Sequence, residues 1–266
     1  MIFTCDKNKL QESIAIAQKA ITGKSTMPIL EGLYIEASEN IVTIIGSDKD
    51  VSIETKFEAD VTEPGKLVVD AKIFGEIIRK LPNDKIKIET VSEEAIRITC
   101  QKSVFDLLHM NAEDFPSLPK INENMIFSIN QGILKNMIKG TSFAIAQDET
   151  RPILQGILFE IKDSKLNLVA LDGYRLAIRT ENIDTNNTIN AVIPGKTLNE
   201  VAKILEDSEE IVNITFTPNH ILFNMGDTKV ISRLLEGEFI KYDALLPKEH
   251  KLQIEVDKQT LQNGIE

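Results

Sequence analysis

The sequence predicts a tandem α+β protein of repeated domains, each built from two helix-plus-three-strand halves with sheets outside and paired helices inside. Three observations carry this. MPILEGLYIE at 27–36 returns as RPILQGILFE at 151–160, displaced by 124 residues. The same displacement carries Phe3 onto Phe127, Leu10 onto Leu134, Asp48 onto Asp172, Lys72 onto Lys196, Leu81 onto Leu205 and Phe115 onto Phe239, which makes the chain a duplication. Within each copy, a stretch with helical apolar spacing followed by three strand-like runs occurs twice.

Taken in order, residues 6–22 place Leu10, Ile14, Ala17 and Ile21 on one helical face. ILEGLYIE, IVTIIG and VSIETKFEA then read as strands, broken by Ser-Glu-Asn and Ser-Asp-Lys. After Pro64-Gly65 comes a second helix over 70–81, with Ile73, Ile77 and Leu81 on one face. Strict alternation follows in KIKIET, AIRITC and SVFDLLHM. The second copy repeats the series with helices near 131–145 and 196–206. IEVDKQTLQNGI at 254–265 then repeats FSINQGILKNMI at 127–138, now displaced by 127. The expected domains are 1–124, 125–250 and, at 251–266, the truncated start of a third. Half an amphipathic helix cannot bury its apolar face alone, so the chain reads as a fragment of a three-unit protein.

Composition narrows the function. The 266 residues are 42% hydrophobic and 27% charged, an ordinary globular balance. No apolar run approaches the roughly 18–20 residues of a membrane span, and the N-terminus has no basic-then-apolar leader. Cys5 and Cys100 stand alone and read as buried fillers in a reducing cytoplasm. The net charge of −11 argues against a general coating of nucleic acid. Its distribution is uneven: the four helical segments carry ten basic and six acidic residues, hence +4, which leaves −15 elsewhere. Helices sharing one face would gather that positive charge where a phosphate backbone could meet it, although lysines that merely solvate helix faces give the same count.

Catalysis finds no foothold. PGKT at 194–197 lacks the first glycine of a phosphate loop, which would fall at Asn190, and with PGKL at 64–67 as its counterpart it reads as a turn. His109, His220 and His250 have no metal spacing, and no nucleophile motif occurs. Asp48 and Asp172 recur as turn-capping residues. No catalytic residue, metal or cofactor is expected.

TMPILEG at 26–32 and TRPILQG at 150–156, LDGYRLA at 171–177 and GEFIKYDALLP at 237–247 together resemble the bacterial sliding-clamp family, the beta subunits of DNA polymerase III. The resemblance spans the whole chain. It implies a head-to-tail homodimer ring of six domains whose helices line a hole for double-stranded DNA, held without sequence reading, and a non-enzymatic role in processivity. A two-unit piece is not expected to close that ring alone. By position the resemblance puts Lys24 and Lys196 near DNA, with Arg151 the contact from the QDETR loop at 147–151, which also holds Asp148 and Glu149. Helix placement adds Lys72, Arg79, Lys135 and Lys139. Phe105 and Leu107 match the ring-closing face.

The resemblance also implies a groove for short peptides of the polymerase III alpha subunit, the clamp loader and repair proteins. Its lining would be Leu154, Gly173, Tyr174, Arg175, Leu176, Ile240, Ala244 and Leu245. Three positions depart from the family pattern: Ile240 for proline, Leu171 for threonine and Ala244 for arginine. LDGYRL also differs from its own counterpart SDKDVS at 47–52 and reads as one residue longer, recovered before 191. The competing reading is a repeat scaffold that gathers partner proteins and never meets DNA.

Overall fold

The structure is a computed structural model that describes residues 1–266 apart from 22, 24, 120, 122–126, 149, 248 and 250. The first half of the first copy runs β1 (Ile2–Asp6), α1 (Lys7–Ala17), β2 (Gly32–Ser38), β3 (Ile41–Ser47), β4 (Val51–Glu58) and a short β5 (Asp60–Glu63). Its second half runs β6 (Gly65–Asp70), α2 (Ala71–Lys80), β7 (Lys85–Thr90), β8 (Ala95–Cys100) and β9 (Ser103–Met110). The second copy repeats this as β10 (Phe127–Asn130), α3 (Gln131–Ser142), β11 (Gly156–Lys162), β12 (Lys165–Leu171) and β13 (Leu176–Asn182). Then follow β14 (Ile189–Pro194), α4 (Gly195–Ile204), β15 (Ile211–Phe216), β16 (His220–Met225) and β17 (Thr228–Arg233). A last helix, α5, spans Lys258–Ile265. No helix among the described residues is long and apolar enough to cross a membrane.

The α+β class and the alternating runs hold, with two additions: a strand leads into each of α1 to α4, and the short β5 follows β4 in the first copy. In the first copy the junctions are marked by side-chain caps. Asp6 accepts from the backbone N–H of Asn8 at 2.8 Å, and Asp70 from that of Ile73 at 2.7 Å. Both helices of the first copy turn their apolar sides inward, Leu10, Ile14 and Ala17 meeting Phe74 and Ile78 in one core. The inward face of α2 is therefore Ala71, Phe74 and Ile78, and Ile73, expected on that face, is exposed. Leu134, Met137 and Ile138 meet Leu198 and Val201 likewise in the second copy.

Two-residue turns set the hairpin registers. Glu39 and Asn40 stand at φ 51° and 62°, and Asp163 and Ser164, 124 residues on, at 52° and 57°. Two successive positive φ values give the turn whose twist matches paired strands. The displacement of 124 holds through β14 and α4 to Ile204. The hairpins at 47–52 and 171–176 are accordingly equal in length, closed by Ser47↔Ser52 and Leu171↔Leu176. The extra residue read into LDGYRL is not there; the length change comes after α4, where β15 stands 126 residues beyond β7. PGKT and PGKL are likewise not counterparts, since Pro194 caps α4 whereas Gly65 opens β6. A Cβ on Gly195 would meet the Ile145 side chain at 2.6 Å, so that glycine serves close packing.

The copies are joined by a strand pair. β17 lies antiparallel to β4, from Thr228↔Thr55 to Ser232↔Val51, making one thirteen-stranded sheet. Ala20, Val51 and Ile53 of the first copy sit in the core of the second, so the joint is apolar as well as hydrogen-bonded. Cys5 and Cys100 are buried, and burial pushes the Cys5 thiol up to about 12.

Candidate functional site

At the tip of the 171–176 hairpin, Gly173 adopts φ +94°, a conformation glycine enters without strain. Asp172 organises the turn: one carboxylate oxygen accepts the backbone N–H of Tyr174 at 2.9 Å and of Arg175 at 2.8 Å. The other accepts Nε and Nη2 of Arg175 at 2.9 and 2.8 Å. These backbone bonds, followed by the guanidinium, hold the Asp172 carboxyl down at about 2. Tyr174 projects from the turn 99% exposed.

Behind the hairpin lies an apolar layer on the face of the β13-β12-β11-β14 sheet turned away from the helices. Alternation puts Leu158, Val169 and Val192 on that face and Phe159, Leu168 and Ile193 in the main core. The layer contains buried Leu154, Leu171 and Tyr242, with Leu176, Ile178, Phe239 and Ile240 packed against it. Of the expected peptide-binding residues, Leu154, Leu176 and Ile240 thus come together, and Gly173, Tyr174 and Arg175 stand at the adjoining turn. Ala244 and Leu245 lie exposed in the one-turn helix Tyr242–Leu245. Sequence reading missed Leu158, Val169, Val192 and Tyr242; strand alternation was the available signal for the first three. The Tyr242 hydroxyl donates to Glu160, which also accepts from Asn167 at 3.0 Å.

The expected DNA-contacting cations divide. Arg79, Lys139 and Arg151 are exposed and form no ion pair among the described residues. Lys135 is largely covered and bonds Asp207 at 2.9 Å. Lys196 reaches across the joint to Asp48 at 3.3 Å. Lys72 lines a groove of about 540 Å³ with Ile73, Ile77 and Phe105, beside β9 rather than apart from it. Lys24 lies outside the described residues, as do Glu149 and His250. Phe105 and Leu107 share the core side of β9 opposite Ile98 and Ile96, with Phe105 43% exposed. Only Met110 and His109 of that strand pair with β6, so Ser103–Leu108 offers an edge unpaired among the described residues. Among the described residues no cluster of His, Cys, Asp or Glu could hold a metal ion.

Residues 1–119 match the family model for the N-terminal domain of the DNA polymerase III beta subunit, and residues 128–241 that for its central domain. The beta sliding clamp of Bacillus subtilis is 37% identical over 276 residues, covering 100% of this chain and 73% of the relative. The chain belongs to the β sliding clamp family. The beta sliding clamp of Halalkalibacterium halodurans is also 37% identical, with the same coverage. The solved sliding clamp of B. subtilis superposes with a TM-score of 0.91 at 37% identity, over 94% of this chain and 68% of that one. A sliding clamp from Pseudomonas aeruginosa, solved bound to griselimycin, gives 0.89 at 29% identity over 94% and 69%. As a sliding clamp the chain is a non-enzymatic processivity factor.

Proposed function

We propose that this clamp encircles double-stranded DNA in the cytoplasm and docks short apolar peptides of the polymerase III alpha subunit, the clamp loader and other partners at the 171–176 hairpin. The observation that carries the docking reading is Tyr174, held in solvent by Asp172 and Arg175 at the margin of an apolar layer. An exposed aromatic beside apolar side chains suits a peptide anchor. Exposed Arg79, Lys139 and Arg151 support a weak, sequence-independent hold on phosphates, with ring closure supplying residence. Lys196 and Lys135 contribute less, since each already has a carboxylate.

We read 1–124 and 125–250 as two clamp domains and 251–266 as the opening of a third. α5 repeats the start of α3 with Leu261 and Ile265 exposed. β13 also corresponds to β4, and its outer edge is unpaired among the described residues. A β4–β17-type joint repeated there would extend the ring, and the β9 edge with Phe105 and Leu107 supports closure between subunits. The docking reading is tested with Tyr174→Ala plus Leu176→Ala. Removing two anchors should weaken a fluorescent clamp-binding peptide by about tenfold or more in anisotropy. Unchanged affinity removes the assignment.

A further inference from the structure

We propose that Asp172 is a positioning residue that sets the charge the docking hairpin shows its ligand, so that the site does not favour acidic peptides over uncharged apolar ones. The inference rests on the reading of this hairpin as a peptide site. Asp172 divides its two oxygens between two tasks: one closes the turn through the backbone of Tyr174 and Arg175, and the other takes the Arg175 guanidinium in a two-pronged pair. The cation that follows Tyr174 in the turn is therefore compensated before any ligand arrives. Arg175 remains about half exposed, so a peptide reaching Tyr174 and Leu176 passes beside this pair.

The first copy shows the same division with a different cation. One oxygen of Asp48 accepts the N–H of Asp50 at 3.2 Å and of Val51 at 2.9 Å, while the other faces Lys196 of the second copy. Val51 occupies the place of Arg175 and is buried in the joint. In each copy the oxygen left over from the turn meets a cation: Lys196 from the other copy in the first, and the hairpin's own Arg175 in the second.

Asp172→Asn separates the tasks. A carboxamide oxygen still accepts both backbone N–H groups, so the turn persists, while Arg175 loses its counter-charge. The probes are two end-capped, fluorescein-labelled pentapeptides: one of leucine, phenylalanine and uncharged polar residues, the other identical except for one aspartate. In low salt the wild type should bind the two within about twofold. Asp172→Asn should favour the aspartate peptide by a further factor of about three to five, an advantage that salt erases. Arg175→Gln leaves the carboxylate alone and should shift the ratio the other way. A purely structural Asp172 would lower both affinities equally; a ratio unchanged in both variants overturns the inference. Failure of the wild type to bind either peptide overturns the docking reading itself, and the inference with it.

Discussion

The hairpins at 47–52 and 171–176 share length, turn geometry and a capping aspartate, yet their surroundings differ completely. In the first, Ser47 and Ser52 bond each other at 2.8 Å in a buried setting, the carbonyl of Asp50 accepts from Arg233 at 2.9 Å, and Asp48 reaches Lys196. The second has leucines at both closing positions and a tyrosine in solvent. A turn's internal bonds thus fix its shape, and its neighbours fix which residues it can carry. Small hydroxyls and Val51 suit a joint; a bulky aromatic suits a free tip.

The largest effect should come from breaking the joint that distinguishes them. Ile53 is fully buried between the copies, and Ile53→Ala should cost about 2–5 kcal/mol, read as a fall in the urea midpoint. A change below about 0.5 kcal/mol would mean that the joint is not part of the cooperative core. Backbone strain gives an intermediate contrast. Lys49 holds φ 81° without glycine's freedom, whereas Gly173 stands at 94°. Gly173→Ala should therefore destabilise by about 1–2 kcal/mol, and Lys49→Gly should stabilise by up to about 1 kcal/mol once glycine's entropy cost is subtracted. Equal signs in denaturation would break the comparison. The smallest effect belongs to the cross-joint ion pair. Lys196→Met should cost at most about 1 kcal/mol, falling toward zero in molar salt, because the lysine is mostly exposed.

Much of this was legible in the sequence because duplication doubles every signal. β7, β8 and β9 coincide with KIKIET, AIRITC and SVFDLLHM, where strict alternation leaves no helical reading. The shared aspartate betrayed the paired turns. The leading strands were hidden because segments such as Phe127–Asn130 run into a helix with no breaker between, so apolar spacing blurs across the junction. The inward face of α2 was legible in part: Leu81 is buried and Ile77 packs against the core, but Ile73 keeps the same helical spacing and is exposed, while Phe74 and Ile78 carry most of the burial. The neutralisation of Lys135 could not be read, since Asp207 is 72 positions away. Nor could the position of Lys72 beside Phe105, which depends on α2 and β9 sharing a groove.

One bond in the second copy reaches further than its size suggests. In the first copy, Tyr34 sits on β2 and its hydroxyl donates to Glu36 at 3.0 Å, two residues along the same strand. In the second, Leu158 takes the place of Tyr34, and the carboxylate of Glu160 instead receives Tyr242 from the segment that carries Ile240 and Leu245. The phenol consequently moors a long connecting stretch to the sheet. At the proposed docking site, a wall moored during folding would meet a peptide already ordered, leaving less conformational freedom to quench.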